Sequence, residues 1–384
     1  MPLPFPDLVA EMTAWRHDLH AHPEFGFEEA RTAAFVADRL RAFGCDVATG
    51  VGKVGVVGSL RRGTSDRAIA LRADMDALRI AEQGTCPYRS RHPGLMHACG
   101  HDGHTALLLG AAKLLAADGG FDGTVRFVFQ PAEEWGRGAQ AMLDDGLLDR
   151  FPFGEIYGLH NWPGLAVGRI ATRPGPLMAA EDNFEIVVAG RGAHAARPHQ
   201  ARDPLVAACA VVVALQTVVS RSLDPAELAV VSVTELTTDG TRNVLPGTAT
   251  LRGDCRSFTP AVSRAIEDAM RRVADGVAAG YGCVATVRYS HEFVPLVNHP
   301  EATRHAVEAA RAVCDAVEAD HPPIAASEDF ARFLAHVPGC FVFLGNGESS
   351  PPLHNAAFDF NDAALGPGVQ FFVELVRRRL PVSR

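Results

Sequence analysis

The chain has 384 residues, 47% hydrophobic and 21% charged, with a net charge of −9. That balance is close to the average of soluble globular proteins and excludes a disordered, collagenous or coiled-coil chain. No basic stripe is present, which speaks against a nucleic-acid partner. No uncharged apolar run reaches the roughly 18 residues of a membrane span; the longest, 205–220, is closed by Asp203 and Arg221, and no membrane partner is expected. The opening MPLPFPDLVAEM has neither a basic region nor an apolar one, so no signal peptide is expected. Eight scattered cysteines without a CxxC are no disulfide framework and fit a cytoplasmic setting.

In chain order, Leu8, Met12, Trp15 and Leu19 share one helical face and predict a helix over 7–20, with Asp7 as N-cap. A second helix is expected over 27–43, stopped by Gly44. Strands follow at 54–60 and 68–75, then an Ala- and Leu-rich helix at 105–117, a buried strand at 125–130 and another at 156–159. Alternating strands and helices indicate a layered α/β domain, with polar residues at strand ends where such sheets place their sites. Near 180 the pattern changes. A strand at 183–189, a helix at 204–220, strands at 228–236 and 249–256, a helix at 260–279 and a strand at 284–289 give the β-α-β-β-α-β order of a ferredoxin-like module. Helix and strand signals resume at 299–313, 341–344 and 365–380. The expected layout is a discontinuous domain, 1–180 and 293–384, interrupted by an inserted module at 181–292.

Histidine is the informative residue. The stretch MHACGHDGHT, 96–105, holds Cys99, His101, Asp102 and His104, with His97 just before. Thiolate, imidazole and carboxylate together suit a borderline divalent cation such as zinc or manganese. In QPAEEW, 130–135, a strand is expected to deliver Glu133 and Glu134 side by side at its carboxyl end, where neighbouring side chains point to different sides. His160, in GLHNWPG, ends another strand, and His354 lies in LHNAAFDFND. Taken alone, the glutamate pair, His160 or His354 is as readily structural; with the 96–105 cluster they read together as a metal site at strand ends and loops.

These segments also resemble a known family. CGHDGHT, QPAEE, GLHNWP and LHNAAFDFND, with LRADMDAL (71–78), GPLMAAED (175–182), GAHAARPH (192–199) and SEDFARF (327–333), are similar to the M20 metallopeptidases. The resemblance covers about 12–378 and is to the amidohydrolase branch: hippurate hydrolases, N-acyl-amino-acid deacylases and auxin-conjugate hydrolases. It implies an α/β fold, with a dinuclear-metal exopeptidase-like catalytic domain and an inserted ferredoxin-like α+β module serving as dimerisation and lid domain. It implies two divalent metal ions per subunit, Mn²⁺ favoured over Zn²⁺, Co²⁺ or Ni²⁺, held by Cys99, His101, Glu134, His160 and His354, with Cys99 at the bridging position. Glu133 corresponds to the general base and Asp76 to an acid supporting the metal ligands; His97, Asp102 and His104 have no ligand role in the family. His194 corresponds to an oxyanion donor that reaches the partner subunit's active site, and Asn243 and Arg256 to contacts for the substrate carboxylate. The implied reaction is hydrolysis of N-acyl amino acids by a homodimer, or a homotetramer. The alternatives on the same site are an N-acetyl-diaminopimelate deacetylase or a dipeptidase. Arg79, Trp135, Arg137 and the turn 237–242 depart from the family pattern and leave acyl preference open.

Overall fold

The structure, a computed structural model, describes residues 5–382. The chain divides into two units: one comprises residues up to 177, 297–322 and those from 329 on, the other 178–296 with 323–328.

The first unit is built on an eight-stranded sheet in the order Asp46–Val51, Gly55–Arg62, Gly123–Gln130, Ala68–Asp74, Glu155–Pro163, Gly339–Gly347, Ile170–Ala171, Val317–Glu318. The four central strands, Gly123–Gln130 to Gly339–Gly347, run parallel. Their residues are almost all buried, as expected where helices cover both faces of a parallel sheet. The helices Phe5–Ala21, His101–Asp118 and Leu365–Arg379 share one apolar core with the sheet, through Met12, Leu108, Phe127, Val369 and Phe372 among others. From Ala68–Asp74 the chain crosses to Gly123–Gln130 on one side and returns to Glu155–Pro163 on the other. That is a topological switch point, the place where open α/β sheets form their crevices.

The second unit has strands Ala180–Ala189, Ala229–Thr238, Thr248–Ser257 and Val284–Phe293, with helices Pro204–Thr217 and Pro260–Gly280, in the β-α-β-β-α-β order read from the sequence. All pairings in its sheet are antiparallel. Both helices begin with Pro at the first turn behind a side-chain cap: Asp203 accepts from the Leu205 and Val206 amides, Thr259 from that of Val262. The first helix continues through a π turn to Ser222, and this stretch is long and apolar enough by composition for a membrane span. Counting only uncharged residues missed that, because Arg221 lies inside it. In the fold, its Ala207, Ala208, Val211, Leu215 and Val218 belong to the core of the second unit, as in an ordinary packed helix. The 323–328 segment joins this unit through the Ala179 amide, which donates to the carbonyls of Ile324 and Ala326.

Two boundaries matter for the site. The helix expected from 105 begins at His101, so His101, Asp102 and His104 stand on its first turn. The strand expected to present Glu133 and Glu134 ends at Gln130; the pair lies on a 3-10 turn, Glu133–Trp135, entered through Ala132 at φ +49°.

Candidate metal centre

The centre is assembled where the central strands end. Gly100, at φ +90°, caps the helix that starts at His101, and a Cβ there would lie 2.1 Å from Oδ1 of Asn161. Only glycine fits so close an approach. This turn places Cys99 Sγ 3.3 Å from Nε2 of His160. Cys99, His101 and His160 offer donor atoms that all lie within 4.8 Å of one another, and so do Cys99, Glu134 and His354. The thiol therefore belongs to both groups. His354 Nε2 is 3.3 Å from Glu134, and His101, Glu133 and Glu134 form a third such group.

Two of the imidazoles, His101 and His160, are held from behind so that one nitrogen faces the group. His101 Nδ1 donates to the Asp76 carbonyl at 2.9 Å with Asp76 Oδ1 at 3.2 Å, which leaves Nε2 forward. His160 Nδ1 donates to the Asn161 carbonyl at 2.7 Å and presents Nε2. Asp76 also accepts the Glu134 amide at 3.0 Å, so one carboxylate ties the helix start to the 3-10 turn. His104 is different. Its Nε2 accepts the Asn161 amide at 2.9 Å, so its proton sits on Nδ1 and is donated to Asp74 at 2.6 Å. Neither nitrogen is left for a metal.

Four carboxylates surround these groups, and the electrostatics follow. Burial alone would lower the His101 pKa, but Asp74, Asp76 and Glu134 raise it to about 10. Burial, reinforced by Glu134, Glu133 and Asp74, pushes the Cys99 thiol well above its usual range. Burial and the neighbouring His104 push His160 down, and the hydrogen bond to Glu134 raises His354. The donor set fits divalent cations on a direct observation. His101 Nε2 and Glu134 Oε1 are buried, 4.0 Å apart, and neither has a hydrogen-bond partner. Two orphaned buried acceptors, an imidazole nitrogen and a carboxylate oxygen, in an acidic pocket with a thiol, are what a bound cation satisfies.

Behind the donors lies a buried lattice that the sequence reading did not assign. Arg72 reaches Asp74 at 2.6 Å, Gln130 at 2.8 Å and Asp329 at 3.1 Å. Gln130 donates to Asp329, and the Asp329 amide in turn points to Glu133 Oε1 at 3.4 Å. Glu29, fully buried, accepts the Ala132 amide at 2.8 Å and braces the turn just before Glu133. Asp74 and Asp329 sit inside LRADMDAL and SEDFARF; what marks their role is contact with His104 and Glu133, far away in the chain.

In the second unit, His194 and Asn243 come together. The pair Ala193–His194 is antiparallel to Val244–Leu245, and the Asn243 carbonyl accepts the Ala195 amide at 3.0 Å. His194 is exposed, and its Nδ1 accepts the Ala196 amide. Arg256 is committed: its guanidinium meets Asp254 at 2.9 Å, Glu181 at 2.8 Å and the Ser327 hydroxyl at 2.6 Å.

Comparison with known proteins agrees with this reading. The family description for peptidase family M20/M25/M40 matches residues 70–378. The hippurate hydrolase of Campylobacter jejuni is 38% identical over 376 residues, covering 97% of this chain and 98% of its own. An N-acetylcysteine deacetylase of Bacillus subtilis is 40% identical over 364 residues, 94% of each chain. A solved Bacillus subtilis structure, described as a dinuclear metal binding peptidase of the M20 family, superposes with a TM-score of 0.85 at 37% identity, covering 98% of this chain and 99% of that one. With the fold, the donor cluster and nearly full-length relatives in agreement, this chain belongs to peptidase family M20/M25/M40.

Proposed function

We propose that the protein is a metal-dependent amidohydrolase that cleaves the amide bond of N-acyl amino acids. The observation that carries this is the convergence of Cys99, His101, Glu134, His160 and His354 into two groups sharing the thiol, with Glu133 beside them. Full-length relatives named for hippurate and N-acetylcysteine hydrolysis support the substrate class. These five side chains would hold two divalent cations, Mn²⁺ favoured over Zn²⁺, Co²⁺ or Ni²⁺, with Cys99 between them. When bound, such cations polarise an amide carbonyl and acidify water.

Glu133 takes the proton of the attacking water and hands it to the leaving amine. The Asp329 amide at Oε1 fixes its orientation and leaves Oε2 toward His101. Asp76 keeps His101 and the Glu134 turn in place before substrate arrives, so little reorganisation is needed in the reaction. His194 is suited to steady the oxyanion: with Nδ1 accepting from Ala196, its ring proton is on Nε2, free to donate. Asn243, beside it, supplies a polar contact for the amino-acid carboxylate. Arg256 would have to give up Glu181 or Asp254 to join that contact. The exposed strand edge Ala229–Thr238 suits pairing across a two-fold axis, giving a homodimer. Eight free cysteines favour a cytoplasmic home.

The test is a panel of N-benzoyl-, N-acetyl- and indoleacetyl-amino acids, with dipeptides as the contrast, assayed on chelated protein reloaded with Mn²⁺ or Zn²⁺. Activity should vanish on chelation and return with metal, on the acyl amino acids first. Full turnover by metal-free protein overturns the proposal, and preference for dipeptides reassigns the substrate.

A further inference from the structure

A second set of metal donors lies outside the Cys99 groups. The helix Phe5–Ala21 carries His20 in its last turn. An irregular segment after Leu78 brings Glu82 and Cys86 to it. His20 Nε2 is 3.3 Å from Glu82 Oε1, Cys86 Sγ is 3.7 Å from the same oxygen, and the three donor atoms lie within 4.8 Å of one another. Tetrahedral zinc with bonds of about 2.0–2.2 Å to nitrogen and oxygen and about 2.3 Å to sulfur separates neighbouring donors by roughly 3.3–3.7 Å. The observed spacings are those of two edges of such a tetrahedron.

The surroundings also suit a metal. Asp102 Oδ2 holds His20 Nδ1 at 2.8 Å, the carboxylate–histidine arrangement that turns the other ring nitrogen toward a cation. The other oxygen of Glu82 accepts the Ser90 amide at 2.6 Å, which fixes the carboxylate. His20 is fully buried and the Glu82 side chain is 4% exposed, whereas Cys86 is half-buried, so the site has an entry from solvent on the thiol side.

The geometry points to a mononuclear zinc site formed by His20, Glu82 and the Cys86 thiolate, with solvent as fourth ligand, separate from the centre that carries the reaction. A thiolate with an imidazole selects zinc over magnesium or calcium. The site ties the irregular segment 81–90 to the helix Phe5–Ala21. Without an ion, the same atoms make only a hydrogen-bonded ion pair, and the two cases separate by measurement.

Zinc content is measured on the full-length protein and on Cys86→Ser after identical zinc loading and desalting. The variant should hold one zinc fewer per chain while its turnover, assayed with Mn²⁺, stays within about two-fold of wild type. Co²⁺ loading supplies a second readout. In Cys99→Ser, which lacks the thiolate of the reaction centre, a near-ultraviolet thiolate-to-cobalt band should persist; it should disappear in Cys99→Ser/Cys86→Ser. Equal zinc content in wild type and Cys86→Ser overturns the site, as does a cobalt band indifferent to Cys86. Should the doubly substituted chain fail to fold, Glu82→Gln in the wild-type background must show the same loss of one zinc. Because the count does not depend on amide hydrolysis, its failure leaves the proposed reaction untouched.

Discussion

Around Cys99, separate chain segments meet and most polar atoms have a fixed partner behind them, whereas His194 and Asn243 stand on a ladder of two residue pairs with His194 exposed. In the first region, His354 apart, which is exposed, geometry is set by burial and by hydrogen bonds shielded from water. In the second, the backbone sets direction and little else restrains the side chains. The difference teaches that most of the groups proposed to hold metal are pre-set by the fold, while the pair proposed to face substrate would rely on the ligand itself for its final fit. Substitutions in the first region should therefore change chemistry or metal affinity steeply. In the second they should touch catalysis and spare stability.

The largest effect is expected from Glu133→Gln, which keeps size and polarity but cannot accept a proton. Turnover should fall by ~10²–10⁴-fold with metal content and melting temperature unchanged; near-normal turnover would remove Glu133 from proton transfer. Next comes His194→Ala, expected to cost ~10²–10³-fold in kcat with no loss of metal. Refolding it as an equal mixture with Glu133→Gln sharpens the comparison. If His194 serves the partner subunit, half the dimers are mixed and each has one intact site of two, so about a quarter of wild-type activity returns. A confirmed mixed dimer without recovery would place His194 in its own chain's site or outside catalysis. Smaller is Asp76→Asn. The His101 ring and the Glu134 amide face different oxygens of Asp76, and in the amide one of these becomes a donor, so one bond is lost and metal affinity should drop by ~10–100-fold. Unchanged affinity in equilibrium dialysis would mean that Asp76 orients neither.

The last effect, read on metal-free protein, is on stability and leaves turnover untouched. Burial, with Asp76 nearby, pushes Glu29 up to about 8. The unfolded chain releases this proton near its ordinary value, while the fold keeps it to about pH 8. The contribution of Glu29 is thus intact below about 4.5 and declines as pH rises through that window, by at most ~1.4 kcal/mol per unit. Glu29→Gln retains an acceptor for the Ala132 amide and should flatten the melting temperature between pH 5 and 8. An unchanged slope would show that Glu29 ionises within the fold.

Long periodic segments were legible in the sequence. The inserted β-α-β-β-α-β order and the terminal helix follow from apolar spacing, because each element buries one face. The strand Asp46–Val51 was not, since at the sheet edge it is half exposed and carries little pattern. The early start of the helix at His101 was hidden by its glycines, which read as a loop. They are required instead by close packing: a Cβ on Gly103 would strike the Phe360 ring at 2.3 Å. The donors themselves stood out as residue types, and the resemblance sorted them into roles. Asp74, Asp329 and Glu29 did not stand out, because what defines them is contact with residues far away in the chain. Arg256 looked available as a strand residue; only the fold brings Glu181 and Ser327 to its guanidinium.

The parallel pairing of Gly339–Gly347 with Glu155–Pro163 carries a consequence for biosynthesis. When His160 leaves the ribosome, its neighbouring strand and His354 have yet to be translated, and the nearly contiguous second unit comes first. Apart from 323–328, that unit is complete in sequence by residue 296 and can close as a unit on the nascent chain, while the sheet holding the donors waits open on one side. The five proposed donors are therefore complete only after residue 354 has been made. A truncation shortly after the second unit would leave a soluble-looking fragment with His101 and Cys99 present but no finished strand beside His160, a species for which chaperones rather than metal ions are the natural company.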